Sequence, residues 1–230
     1  VFEDISETSF LIENGFLNLQ GKRMADRKRW NDLWQALGAE PQNPILFDQL
    51  RSCYAEPHRV YHTFDHIQDC LKQFDAARFL AERPAEVEVA IWFHDAIYDP
   101  RKSENEERSA RWAERALSEA GIPPLTPQRV RDLIMVTDHN IPPDGQDASL
   151  LADIDLSILG RAPADFDEYE RKIRGEYAWL SDEVYREGRA MILRRFLARK
   201  PIYQTGRFCR LFEEQARRNL ERSLARRRRL

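Results

Sequence analysis

The sequence predicts an all-helical, single-domain bundle, and three observations carry that reading. Apolar residues recur at intervals of three and four along nearly every long segment. No two alternating runs read as a strand pair. Breaks marked by Gly and Pro divide the chain into about nine helices, with no internal repeat and no low-complexity linker. A length of 230 residues lies within the range of one domain, and 42% hydrophobic with 33% charged residues suits a globular chain of helices with solvated faces.

Residues 1–25 are set apart as an N-terminal segment without an assigned fold; they lack the basic, apolar and small-residue order of a secretory signal, and the domain proper is 26–230. Ile45, Leu46, Leu50 and Tyr54 place a helix over Asn43 to Tyr54, and Ile67, Leu71, Phe74 and Phe79 place another over Val60 to Leu80. Val89-Ala90-Ile91-Trp92-Phe93 is a buried-helix stretch. Ser103-Glu104 and Asp182-Glu183 put capping or acidic groups where a helix N-terminus favours them. Thr126-Pro127 sets a capping hydroxyl before a proline at the first helical position, so a helix begins there, runs through Leu133 and Met135 and ends near His139. The breaks fall at Gly38 to Pro44, Arg83-Pro84, Asp99 to Ser103, Gly121 to Pro127, Asn140 to Gly145, Gly160 to Ala164 and Lys200-Pro201.

No apolar run approaches the roughly 18 residues that cross a bilayer, so no membrane partner and a cytoplasmic location are expected. Cys53, Cys70 and Cys209 show no metal-ligand spacing and read as reduced, mostly buried thiols without assigned chemistry. The net charge of −3 hides a basic C-terminus, Arg217, Arg218, Arg222 and Arg226 to Arg229. That run reads as a solvated helix end matched to the negative pole of the helix dipole rather than as a nucleic-acid surface.

All five histidines, at positions 58, 62, 66, 94 and 139, fall in one span rich in aspartate. His62 and His66 are four apart, so on a helix both rings leave one face. His94-Asp95 follows the apolar run Ala90 to Phe93, and Asp153 and Asp155 interrupt the apolar stretch Leu150 to Leu156. Burying such groups costs several kcal/mol unless they are coordinated or hydrogen-bonded, and a metal ion compensates that cost directly. His58 reads as a hydrogen-bonded core residue.

This order of a histidine, a His-Asp pair and a later aspartate resembles the HD superfamily of metal-dependent phosphohydrolases. Further stretches are similar to a bacterial subgroup of predicted members: Arg59-Val60-Tyr61-His62 with His66-Ile67, Trp92 to Tyr98, Asn105 to Ala110, Asp153 to Leu156, Ile173 to Tyr177 and Gly188-Arg189. The resemblance covers about residues 28–224 and implies an all-helical bundle holding one divalent ion. It selects His66 over His62 as first ligand, carries over His94 and Asp95, and favours Asp155 over Asp153, which keeps a structural role such as a hydrogen-bonded cap.

Two imidazoles and two carboxylates suit Mn²⁺, Fe²⁺, Co²⁺, Ni²⁺ or Zn²⁺ better than Mg²⁺. The expected reaction is hydrolysis of a phosphate ester or anhydride of a small molecule, such as a nucleotide, by a metal-activated water. Asp95 orients that water, His62 and Glu106 are the candidate bases, and His139, Arg59, Arg174 and Arg189 are candidate phosphate contacts. Some superfamily members carry an acid where this chain has Tyr98, which puts transfer of their catalytic machinery in doubt. The alternative is a nucleotide- or metal-binding regulatory module with weak or no turnover.

Overall fold

The computed structural model describes residues 21–39, 44–140 and 142–227. Most of the N-terminal segment, Asn43, Arg228 and Arg229 lie outside them. Among the described residues there are ten α-helices and no strand. Helix α1 runs through residues 21–36, followed by α2 (Pro44–Cys53), α3 (Phe64–Ala77), α4 (Pro84–Phe93) and α5 (Asn105–Glu119). Then come α6 (Leu125–Met135), α7 (Gln146–Asp155), α8 (Pro163–Glu176), α9 (Asp182–Ala198) and α10 (Gly206–Arg227). No helix among them is long and apolar enough to cross a membrane.

Helix α4 is the centre of the bundle. Pro84 starts it at a position that needs no N–H donor, and every residue from Glu86 to Phe93 is buried. Its two glutamates are neutralised by partners on other elements, Glu86 by Arg129 and Glu88 by Arg29 and Arg78. Trp92 packs edge-on against Trp30 of α1 at 5.4 Å and against Phe47 of α2 at 6.1 Å. Such fully enclosed aromatics contribute roughly 3–5 kcal/mol each against alanine, which fixes the register of the His94-Asp95 pair that follows. Helices α3 and α7 pack against α4, so the C-terminal end of α4, the first turn of α3 and the last turn of α7 meet at one place.

Several expectations need correction. The helix expected over Val60 to Leu80 starts only at Phe64 and ends at Ala77, with a 3₁₀ turn over Arg78–Leu80. Residues Val60 to His62 are drawn out of helical conformation because their three successive amides all donate to one carboxylate oxygen of Glu176. Ile45 and Phe79, expected in the core, are 64% and 73% exposed. Thr126 does not cap α6, which begins at Leu125; its hydroxyl reaches Glu86 and accepts from Arg129 instead. The α6 segment does end at His139, after a 3₁₀ turn, with His139 in the left-handed region (φ 55°). Ser181, not Asp182, caps α9 by accepting from the Val184 amide.

His58 is exposed, not in the core, with its Nε2 2.7 Å from the Tyr98 carbonyl. The arginine-rich end of α10 is not a free solvated face. Arg222 and Arg226 pair with Asp167 and Arg227 pairs with Glu170, so the run clamps α10 onto α8.

Candidate metal centre

His94 is the residue after the last full turn of α4. Its Nδ1 lies 2.9 Å from the Ile91 carbonyl, which can only accept, so Nδ1 carries the proton and the Nε2 lone pair faces the site. Nε2 of His66, from the first turn of α3, sits 3.1 Å from Nε2 of His94. Asp95 Oδ2 lies 3.2 Å from His94 Nε2 and 3.5 Å from His66 Nε2. Asp155, the last residue of α7, brings Oδ1 to 3.2 Å from His66 Nε2 and 3.7 Å from His94 Nε2.

Donors on one ion with bonds near 2.1 Å stand about 3.0 Å apart in a right-angled set and about 3.4 Å apart in a tetrahedral one. The donor separations match that scale. Two facing imidazole lone pairs and two carboxylates, with both rings buried, form a set that can hold a metal ion. Burial by itself would lower the His94 pKa, but Asp95 and Asp155 outweigh it and hold it well above the ordinary value. The carboxyls of Asp95 and Asp155 are correspondingly held low against their burial, chiefly by His94 for Asp95 and by the hydrogen bond from His139 for Asp155.

Cys70, assigned no chemistry from its spacing, belongs to this cluster together with His66, His94 and Asp155. Its Sγ lies 3.7 and 3.8 Å from the two nitrogens of His66, against that ring. The signal was available, since Cys70 is one turn after His66 on the same helix face. Asp153 faces the other way. Its two oxygens accept from the amides of Gln204 and Thr205 and from the Thr205 hydroxyl at the start of α10, so it is the hydrogen-bonded cap and Asp155 the candidate ligand.

His62 and His66 do not share a helix face, because His62 precedes α3, yet their rings come within 5.9 Å of each other. His62 is held by Glu176: its Nδ1 donates to Glu176 Oε2 at 2.7 Å, and Tyr98 donates to the same oxygen at 2.8 Å. Burial acts to lower the His62 pKa, but Asp95 and Glu176 prevail and raise it. Glu176 is the candidate site residue that the sequence did not single out, although it lies in the quoted stretch Ile173 to Tyr177. Gly175 beside it lets α8 approach closely, since a Cβ there would meet Val60 Cγ2 at 3.2 Å.

The cluster opens into a cavity of about 410 Å³ whose walls include His62, Asp95, Glu106, His139, Asp155 and Arg189. The wall also carries the aromatic rings of Tyr61, Tyr169, Tyr177, Tyr185 and Phe196, with Tyr61 against His66 at 4.9 Å. His139 donates its Nε2 proton to Asp155 Oδ2 at 2.8 Å and so orients that carboxylate. Burial, with the charges of Asp95 and Asp138, raises the Glu106 pKa. Arg189 lines the cavity but is buried in a pair with Glu170 and the Tyr169 hydroxyl.

Arg59 and Arg174, expected as phosphate contacts, do not line the cavity. Arg59 is spent on Glu56 and on the carbonyls of His62, Asp95 and Ala96, which ties the His62 turn to the Asp95 turn. Arg174 holds the carbonyls of Tyr177 and Leu180 and the carboxylate of Asp182.

Fold and site together define an all-helical protein with a candidate metal centre beside a cavity. Comparison with protein-family models, curated proteins and solved structures finds no match to this chain.

Proposed function

We propose that this protein is a metal-dependent phosphohydrolase of the HD type, cleaving a phosphate ester or anhydride of a small molecule. The observation that carries the reading is the meeting of His66 Nε2, His94 Nε2, Asp95 Oδ2 and Asp155 Oδ1, with imidazole–imidazole and imidazole–carboxylate separations from 3.1 to 3.7 Å, beside a cavity large enough for a metabolite. His66, His94, Asp95 and Asp155 would hold one divalent ion, with Mn²⁺, Fe²⁺, Co²⁺, Ni²⁺ or Zn²⁺ favoured over Mg²⁺ by the two imidazoles. Bound there, such an ion lowers the pKa of a water and neutralises charge on a phosphoryl group.

The chain's own groups supply the proton handling. Asp95 stands at the cavity wall to orient the attacking water. His62, its Nδ1 proton fixed on Glu176, presents the other ring nitrogen as a base, and Glu176 stabilises the imidazolium that forms. Glu106, which burial keeps more readily protonated, is suited to hand a proton to the leaving group. The carboxylate missing at position 98 is thereby provided from α8, through the bond from Tyr98 to Glu176.

The test is release of phosphate from a panel of phosphorylated metabolites with each divalent ion in turn. Metal-dependent turnover that falls by roughly 100-fold or more in His94→Ala and Asp95→Ala is expected. Turnover undiminished in both variants overturns the reading, and ligand-induced thermal shifts without any product favour a binding module instead.

A further inference from the structure

Arg195 near the end of α9 and Arg199 just after it meet no carboxylate among the described residues. Arg195 donates to the side-chain carbonyl of Asn140 and Arg199 to the main-chain carbonyl of His139, both neutral acceptors. By contrast Arg174 pairs with Asp182, Arg189 with Glu170 and Arg217 with Glu213. The two like charges repel, and the half-buried Arg199 has its pKa lowered by burial and by Arg195. A guanidinium offers five N–H donors in a planar fork, so most donors of the pair remain after one bond each.

Both side chains line a second cavity, of about 430 Å³, between α9, the turn after α6 and the end of α7. The one carboxylate in that lining, Asp153, already accepts on both oxygens from Gln204 and Thr205. A roomy cavity with two uncompensated guanidinium groups and no free acid is matched by a tetrahedral oxyanion.

We propose that this cavity is a phosphate-binding site in which Arg195 and Arg199 together hold one phosphate group. It shares His139, Leu156 and Arg195 with the walls of the metal cavity. Two sources of the group fit that position: free inorganic phosphate, and the second phosphate of a molecule whose other end lies at the metal donors. The site stands whether or not the protein hydrolyses anything, because it uses none of the metal ligands.

The experiment is calorimetric titration of inorganic phosphate into the full chain, after chelator treatment and again with Mn²⁺ added. One saturable site is expected in the chelator-treated chain, weakened roughly tenfold or more in Arg199→Gln, which keeps a donor for the His139 carbonyl. Arg195→Gln is the second variant should the first fail a thermal-unfolding check. Arg186→Gln, on the same helix but outside the cavity lining, where the guanidinium donates to the Asp182 carbonyl, controls for net charge and should bind as the parent does. In the Mn²⁺-loaded protein, a gain of an alkane bisphosphate over phosphate that Arg199→Gln removes identifies the substrate's second phosphate; binding without that gain identifies the free anion. Absence of saturable binding, or equal affinity in the parent and both cavity variants, overturns the proposal. Failure of turnover alone would leave it intact.

Discussion

Replacing Glu176 with Gln tests how the His62 side of the cavity is built. The glutamate accepts the amides of Val60, Tyr61 and His62 on one oxygen and the His62 ring and Tyr98 hydroxyl on the other, with its side chain fully enclosed. Burial alone would raise its pKa, but the charge of His62 and these hydrogen bonds bring it down from 4.5 to about 2. A depression of about 2.5 units corresponds to about 3 kcal/mol of folding stability at neutral pH. A carboxyl with a depressed folded pKa contributes in full above its unfolded value and loses that contribution as pH falls through the folded one. The window therefore runs from about pH 4.5 down to about pH 2. Glutamine keeps an acceptor for the three amides but turns an NH₂ toward two other donors. Urea denaturation of parent and variant should show Glu176→Gln less stable by about 3 kcal/mol at pH 7, with the gap narrowing by roughly 2 kcal/mol at pH 3. A gap below about 0.5 kcal/mol at pH 7, or one that does not change with pH, would refute this account of the carboxylate.

Divalent Mn²⁺ or Co²⁺ should raise the melting temperature of the parent, with about 4 kcal/mol of stabilisation at a thousandfold excess over Kd, and the shift should vanish in His94→Ala; an unchanged shift there would dismiss the metal centre. Asp155→Ala should abolish metal uptake, measured by elemental analysis, whereas Asp153→Ala should retain the metal and lose roughly 1–3 kcal/mol in urea denaturation through the uncapped start of α10. The opposite pattern would exchange the roles of the two aspartates. Gly160→Ala should destabilise the fold by roughly 1–3 kcal/mol. Its Cβ would lie 2.4 Å from Phe212 Cβ and 2.7 Å from the Phe212 carbonyl oxygen, so a variant as stable as the parent would show that α10 does not approach there.

What was legible in the sequence is what depends on neighbours along the chain. The helical class follows from periodicity, and His94-Asp95 stands out because an ionisable pair at the end of the all-buried run Glu86 to Phe93 needs compensation wherever it points. The choice between Asp153 and Asp155 depends instead on which side of α7 meets α3 and which meets α10, and two positions apart on a helix are turned far from each other. Spacing names both and separates neither. Arg59 and Arg174 show the same limit from the other side. A guanidinium reads as a phosphate clamp until the carbonyls it already holds are seen, and those carbonyls become neighbours only in the folded chain.

Taken along the chain, Tyr98 stands where some members of the resembled superfamily carry an acid near the His-Asp pair. In space its hydroxyl is one of five donors converging on Glu176, whose contact with His62 spans 114 positions. A carboxylate that organises a turn, fixes an imidazole tautomer and accepts a phenol is hard to move on any one count, because removing it strands several donors at once. The acid and the tyrosine are then parts of one device: Gly175 provides the close approach, the turn at Val60 to His62 provides the amides, and Tyr98 fills the side of Oε2 that His62 leaves open.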